Sequence, residues 1–268
     1  MEKVSVIMPL YNSARFLAAS IDSVLKQKYT NWELILIDDC SGDDSVIIAQ
    51  EYCDRDSRIR LVRLAENSGA AVARNHGIEV AEGRFIAFLD SDDIWLPGKL
   101  DTQIEFMLKN KVAFSYTAYK KIDAYGNDLF ELGVPSSLSY RALLKACVIG
   151  CLTVIYDVSQ IGKVYMPLGT KREDYALWLK ILRERNVVAY GINKVLASYR
   201  IYPHQSSSKK LSMAKENWKL LRNQEELCLI ISLHYFTQYA LRGLLRDKYP
   251  LIAKKIGFLA SPENGIIK

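Results

Sequence analysis

Three carboxylates fall within four positions at Asp90-Ser91-Asp92-Asp93, directly after the apolar run Phe85-Ile86-Ala87-Phe88-Leu89. The run has the length and composition of a buried strand. Carboxylates crowded at a strand end repel one another and lose hydration, so the cluster calls for a cation among them. A divalent ion held by oxygen ligands is the simplest candidate, and such ions also take phosphate oxygens. Two further apolar runs end in polar residues. Residues 4–8 lead into Pro9-Leu10-Tyr11-Asn12, and residues 32–37 lead into Asp38-Asp39-Cys40-Ser41. In an open parallel sheet, ligands bind outside the carboxyl ends of the strands. Asp and Asn also cap helices, which explains one such end more readily than three in one sheet. Asp39 has the chemistry to accept from a base imide N–H. Asp92 has the chemistry to hold a metal that bridges a diphosphate.

Such loops need a scaffold, and the first half of the chain supplies an alternating one. Residues 4–8 read as a strand ending at Pro9. Asn12 or Ser13 caps a helix whose apolar face is Phe16, Leu17, Ile21, Val24 and Leu25. Residues 32–37 form a second strand, and residues 41–44 open a helix running to about Cys53. Residues 59–64 alternate as a third strand. Residues 69–81 read as an Ala-rich helix ended by Gly83, and the fourth strand runs into Asp90. This order predicts a Rossmann-like, mainly parallel α/β sheet flanked by helices. The second half is mixed. Strands are expected at 112–116 and 119–123 with a turn at Gly126-Asn127, at 153–156, at 187–190 and at 195–199. Asp174 is placed at the N-cap of an amphipathic helix carrying Leu177, Trp178, Ile181 and Leu182. Phe106 and Met107 read as helix core, and Trp95 and Trp178 as core or pocket wall.

Composition narrows the function classes. Half of the 268 residues are apolar, enough for a full core in one large domain. The five cysteines are odd in number and irregularly spaced, which reads as free thiols in a cytoplasmic protein rather than a disulfide framework or a zinc site. No secretory leader and no membrane-spanning run is expected. Neither a Gly-x-Gly-x-x-Gly after the first strand nor a P-loop occurs, which argues against a dinucleotide cofactor and a P-loop nucleotidase. Charge is placed unevenly. Residues 209–268 hold eleven Lys and Arg against five Asp and Glu, the whole net charge of +6. Basic residues there stand beside aliphatic and aromatic ones, as in segments that lie on an anionic membrane. The alternative is a helical pair packed on the main domain with a solvated basic face. No binding motif accompanies the charge, so nucleic acid is not an expected partner.

Taken in order, Pro9-Leu10-Tyr11-Asn12, Asp38-Asp39-Cys40-Ser41, Asn67-Ser68-Gly69 with Ala73-Arg74-Asn75, and Asp90-Ser91-Asp92-Asp93 resemble the family 2 glycosyltransferases. Glu173-Asp174 resembles that family's acidic pair at the start of a helix, and Tyr199-Arg200 with His204 its next basic segment. The resemblance covers about residues 3–205. It implies a GT-A fold, a nucleotide-sugar donor and inversion at the anomeric carbon. It further implies that Pro9, Tyr11, Asn12, Asp39, Arg74 and Asp90 line the nucleotide site, with Asp39 on the base, commonly uracil, and Asp90 on the ribose or metal. Asp92 would hold Mn²⁺ or Mg²⁺, and Asp174 would be the catalytic base with Glu173 in support.

Each of the later residues keeps two readings. Asp174 as an N-cap needs no catalysis; as a base it takes the acceptor hydroxyl proton while the acceptor attacks opposite the leaving diphosphate. His204 is a polar loop residue, or a further metal ligand or diphosphate donor. Arg200 fits a diphosphate well. Together these point to a metal-dependent inverting transferase moving a sugar, from a UDP-sugar in the first instance, to a polyprenyl-linked saccharide in surface-polysaccharide synthesis. Residues 1–208 would be the catalytic domain and 209–268 a C-terminal helical extension, a basic amphipathic tail on the inner face of the plasma membrane. The competing readings are a sugar-nucleotide nucleotidyltransferase, which would carry a Gly-rich basic loop after the first strand, and a non-catalytic nucleotide-binding protein of the same fold.

Overall fold

The computed structural model describes residues 1–203, 210–249 and 260–262. His204 lies outside the described residues. In chain order the first elements are β1 (Val4–Leu10), α1 (Ala14–Leu25), β2 (Trp32–Asp38), α2 (Ser45–Arg55), β3 (Ile59–Arg63), α3 (Ala70–Val80) and β4 (Phe85–Phe88). There follow β5 (Ile94–Trp95), α4 (Lys99–Asn110), β6 (Phe114–Ile122), β7 (Asp128–Leu132), β8 (Ser137–Leu138) and α5 (Tyr140–Leu143). The rest are β9 (Ile155–Asp157), α6 (Val158–Ile161), α7 (Glu173–Glu184), β10 (Ala189–Arg200), α8 (Lys210–Lys219) and α9 (Leu229–Lys248).

Among the described residues, ten strands join one sheet, in the order β3-β2-β1-β4-β9-β6-β10-β5, with β7 on β6 and β8 on β10. The β3-β2-β1-β4 block is parallel throughout, as the alternation of elements predicts. β9 runs antiparallel to both β4 and β6, and β10 returns parallel to β6. Side chains alternate across the pleat, so β1 sends Val4, Val6, Met8 and Leu10 into one core and Ile7 into the other. The first core is closed by Leu17, Ile21 and Val24 of α1 and by Ile104 and Met107 of α4. The second is closed by Ala73 and Ile78 of α3 and by Leu177, Trp178 and Ile181 of α7. Burial on both faces is what a parallel sheet needs.

Several local expectations change. β1 does not stop at Pro9; it continues to Leu10, with Pro9 opposite Ile37 of β2. Its other neighbour, β4, pairs only as far as Ile7, so the missing amide hydrogen of Pro9 breaks no ladder bond. Gly83 is not a left-handed helix stop. α3 ends at Val80, and a Cβ on Gly83 would sit 2.6 Å from Ser5 N and 2.8 Å from Lys3 O. Glycine is required there by close backbone approach. The two strands expected at 112–123 are the single β6, and the two at 187–199 are the single β10, bulged between Ile192 and Ala197. Residues 151–153 form a 3₁₀ turn before β9.

Within 210–249, the chain is packed against the sheet unit. Leu220 and Leu221 belong to the second core. Arg172 donates to Asn217 Oδ1 at 3.3 Å and to Tyr239 Oη at 3.1 Å, and Arg183 pairs with Glu225 at 2.7 Å. Trp218 of α8 meets Phe236 of α9 edge to face. Among the described residues, no helix is long and apolar enough to cross a membrane.

Candidate active site

The strand order places the reversal of winding between β1 and β4, and the carboxyl ends of these two strands are where parallel α/β sheets take ligands. Residues 9–12 and 90–93 lie at those ends. Asn12 adopts φ of 49°, in the left-handed region that Asn tolerates better than most residues. Its N–H donates to Ser41 Oγ at 3.0 Å, and its Oδ1 accepts from Gly42 N at 2.8 Å. Ser13 Oγ lies 2.7 Å from Ser91 Oγ. The three strand-end loops are thus hydrogen-bonded to one another. Tyr11 stands exposed at the rim.

Asp39 is buried at the end of β2. Its Oδ1 accepts from Ser68 N at 2.7 Å and its Oδ2 from Gly69 N at 2.8 Å, while Asn67 Nδ2 donates to its main-chain oxygen. The carboxylate fastens the 67–69 loop, and an ionised carboxylate has lone pairs for about four such bonds. A concavity of about 380 Å³ beside β3, lined by residues including Leu64, Glu66 and His76, shares Ser68 with this loop.

Arg74, one turn into α3, joins the two halves of the site. Its Nη2 lies 2.5 Å from Asp90 Oδ1 and its Nη1 lies 3.2 Å from Glu173 Oε1. Burial opposes its charge, but the Asp90 and Glu173 carboxylates outweigh burial and hold the guanidinium protonated.

Beyond Asp90 the carboxylates are under strain of charge. Burial, then repulsion from Asp90, pushes the Asp92 carboxyl up; Asp93 is pushed much further by burial and by both neighbours. Asp93 Oδ1 accepts from Arg200 N at 2.8 Å, and its buried Oδ2 has no hydrogen-bond partner. Asp92 Oδ2 accepts from Tyr202 Oη at 2.8 Å. Arg200, expected to face a diphosphate, is buried. It donates from Nε to Asp92 O at 2.8 Å and from Nη1 to Asp123 O and Ala124 O, with its guanidinium 4.6 Å from the Phe16 ring. It braces the loop that carries the carboxylates.

Among the described residues, no group of three or more His, Cys, Asp or Glu side chains is arranged to hold a metal ion. Mg²⁺ and Mn²⁺ make no such demand, since they bind through one or two carboxylates together with substrate phosphates. All-oxygen donors whose mutual repulsion a cation would relieve fit that group.

Asp174 is not the N-cap of its helix. α7 begins at Glu173 with Arg172 at the cap, and Asp174 lies in the first turn with Oδ1 accepting from Tyr175 N at 2.6 Å. The helix dipole favours its ionised form, yet burial and then repulsion from Glu173 raise its carboxyl above the ordinary range, with Arg74 and Arg172 pulling the other way. A half-buried carboxylate of raised basicity is suited to proton abstraction. Trp95 and Trp178 are core residues, each almost fully buried. The sequence places Ser13 and Phe16 only in the first helix, as cap and apolar face, and gives no site role to Ser91 or Tyr202. Ser91 carried a signal, since it stands inside the acidic motif; Tyr202 carried none.

Comparison with known proteins gives three findings. A family model described as glycosyl transferase family 2 matches residues 5–143. TuaG of Bacillus subtilis (strain 168), assigned to teichuronic acid biosynthesis as a glycosyltransferase, is 44% identical over 88% of this chain and 94% of its own length. WfgD of Escherichia coli, named as a UDP-Glc:α-D-GlcNAc-diphosphoundecaprenol β-1,3-glucosyltransferase, is 41% identical over 92% of this chain and 95% of its own. The fold is that of S. aureus TarS 1–349 solved with UDP-GlcNAc, with a TM-score of 0.69 at 20% identity over 94% of this chain and 77% of that one.

Proposed function

This chain belongs to glycosyl transferase family 2, and from that premise we propose that it is a metal-dependent, inverting hexosyltransferase. Its donor is a UDP-sugar and its acceptor a saccharide carried on a polyprenyl diphosphate, in surface-polysaccharide synthesis. The observation that carries the reading is the bridge from Asp90 through Arg74 to Glu173, which ties the donor-side carboxylates to the helix bearing Asp174.

In this mechanism Asp174 takes the proton of the acceptor hydroxyl. The acceptor oxygen bonds to the anomeric carbon on the face opposite the diphosphate, the carbon–oxygen bond to the diphosphate breaks, and UDP leaves with its electron pair. No covalent intermediate is needed. Asp39 selects the base, Asp90 meets the ribose, and Pro9, Tyr11 and Asn12 shape the nucleotide site. Asp92 holds Mn²⁺ or Mg²⁺, which when bound neutralises the charge growing on the departing diphosphate. Glu173 supports the base through Arg74.

The enzyme works on the inner face of the plasma membrane, with residues 209–268 facing an anionic bilayer. That part of the reading is supported by the charge of this segment and by α9, which leaves Ile230 80% exposed and Leu233, Leu241 and Leu244 about half exposed. The test is incubation with radiolabelled UDP-sugars, Mn²⁺ and an undecaprenyl-diphosphate-linked acceptor. Label appearing in the lipid fraction with inverted linkage supports the proposal. Pyrophosphate chemistry, or nucleotide binding with no transfer, overturns it.

A further inference from the structure

Arg200 and Tyr202 lie two residues apart as the chain leaves β10, and both are directed at Asp92. Arg200 Nε holds the main-chain oxygen of Asp92, and Arg200 N holds the side chain of Asp93, each at 2.8 Å. The Arg200 guanidinium lies 4.6 Å from the ring of Phe16, and that ring is 5.3 Å from the ring of Tyr202. Tyr202 closes the circuit by donating to Asp92 Oδ2 at 2.8 Å. Asp92 is therefore gripped at its backbone by one residue and at its carboxylate by another, and one aromatic ring from α1 separates and spaces the two.

Resting on the proposal that Asp92 takes the divalent cation, we infer that Tyr202 is a positioning residue that orients the Asp92 carboxylate for that cation, with Phe16 setting the place of its ring. The hydroxyl engages one carboxylate oxygen and so fixes the plane of the group, which fixes the direction in which the other oxygen faces. Partners of this kind, hydrogen-bonded to a metal-binding carboxylate, change metal affinity about 10–100-fold when removed. Tyr202→Phe isolates the hydroxyl, because it keeps the ring against Phe16. Phe16→Leu does the reverse, keeping the hydroxyl but removing the aromatic spacer.

The experiment is Mn²⁺ titration by electron paramagnetic resonance of the free ion, in the presence of UDP, on the full chain and both variants. The expected result is a 10–100-fold loss of Mn²⁺ affinity in Tyr202→Phe and a smaller loss in Phe16→Leu. The metal-free melting temperature of Tyr202→Phe and its UDP affinity without metal should stay as in the unsubstituted protein. Unchanged Mn²⁺ affinity in Tyr202→Phe overturns the inference and leaves the metal proposal standing. Tighter binding also overturns it, since the hydroxyl would then compete with the cation. No Mn²⁺ binding by the unsubstituted protein overturns the metal proposal itself and this inference with it. If Tyr202→Phe does not fold, Phe16→Leu decides: lost affinity supports the positioning role, and unchanged affinity removes it.

Discussion

Arg74 on α3 holds Asp90 at the end of β4 through a 2.5 Å ion pair. The same guanidinium reaches Glu173 at the start of α7, ninety-nine positions away. One side chain thus sets the distance between the donor-side loop and the helix that carries Asp174. It is also a cation among carboxylates that would otherwise repel one another.

Removing that cation should cost stability. Breaking a buried charge pair by deleting one partner costs about 3–5 kcal/mol. Asp90 and Glu173 keep 28% and 20% of their side-chain surface, which puts Arg74→Ala toward the lower end. Arg74→Lys keeps the charge but not the two-armed reach, and is expected to fall between. Urea midpoints of the three proteins measure this. Equal midpoints would show that the bridge contributes nothing.

Asp174 should set the acid limb of activity. Its carboxyl is raised above the ordinary value of about 4, and the base must be ionised, so kcat/KM should fall as pH drops through that raised value. Asp174→Asn should lose turnover by about 100-fold or more while retaining UDP-sugar affinity. The sign for stability is opposite to that for activity. Between the unfolded and folded values the folded chain binds the extra proton, so stability falls as pH rises through that window. Asp174→Asn should therefore melt higher than the unsubstituted protein at pH 7. Normal kcat, or a lower melting temperature, would remove Asp174 from this role.

Asp39 should matter twice over, for the base and for the 67–69 loop. Asp39→Ala strips acceptors from Ser68 N and Gly69 N as well as from any bound imide. A charge-assisted bond is worth about 1.5–3 kcal/mol, so UDP affinity by calorimetry should fall by at least tenfold. Unchanged UDP affinity would contradict the assignment.

Lys99 offers a test that leaves the site alone. It is fully buried, donates to Gln103 Oε1 and lies over the Trp95 ring. Burial pushes its ammonium well below the ordinary lysine range. The unfolded chain then binds the extra proton, so stability rises with pH up to the unfolded lysine value. Lys99→Met should abolish this part of the slope. Urea midpoints at pH 7 and pH 9 should converge in the variant; an unchanged difference would show that Lys99 stays charged in the folded protein.

The outer face of α9 is expected to meet lipid. Replacing Ile230, Leu233, Leu241 and Leu244 by Ser touches exposed positions, so stability should change by only about 0.5 kcal/mol per site. Flotation with anionic vesicles should be lost in this variant. In the unsubstituted chain it should weaken as salt rises and the ~8 Å screening length at 0.15 M shortens. Flotation equal in both proteins would assign the exposed face another role.

The amino-acid order by itself determined the alternation of strands and helices through Asp90, and the three polar strand ends. Both are local properties: pleat and helix periodicities repeat within a few residues, and turn chemistry needs only the next one or two. The acidic pair at 173–174 was legible for the same reason. What only the tertiary structure decided is which neighbour each of these groups receives. β6 and β10 are long single strands because they lie side by side in the sheet interior, where pairing overrides the polar interruptions that divided them in the sequence. Arg200 reaches the main chain of the Asp92 loop because β10 ends beside it. The Asp174 carboxyl, in the first turn of α7, is raised by burial and by Glu173 although the helix dipole at that position favours its charge. Tyr202 reaches Asp92 across one hundred and ten positions, and no sequence periodicity encodes that distance. Burial and charge partners arise from long-range packing, so the residues of the site were readable in the chain while their ionisation and bracing were not.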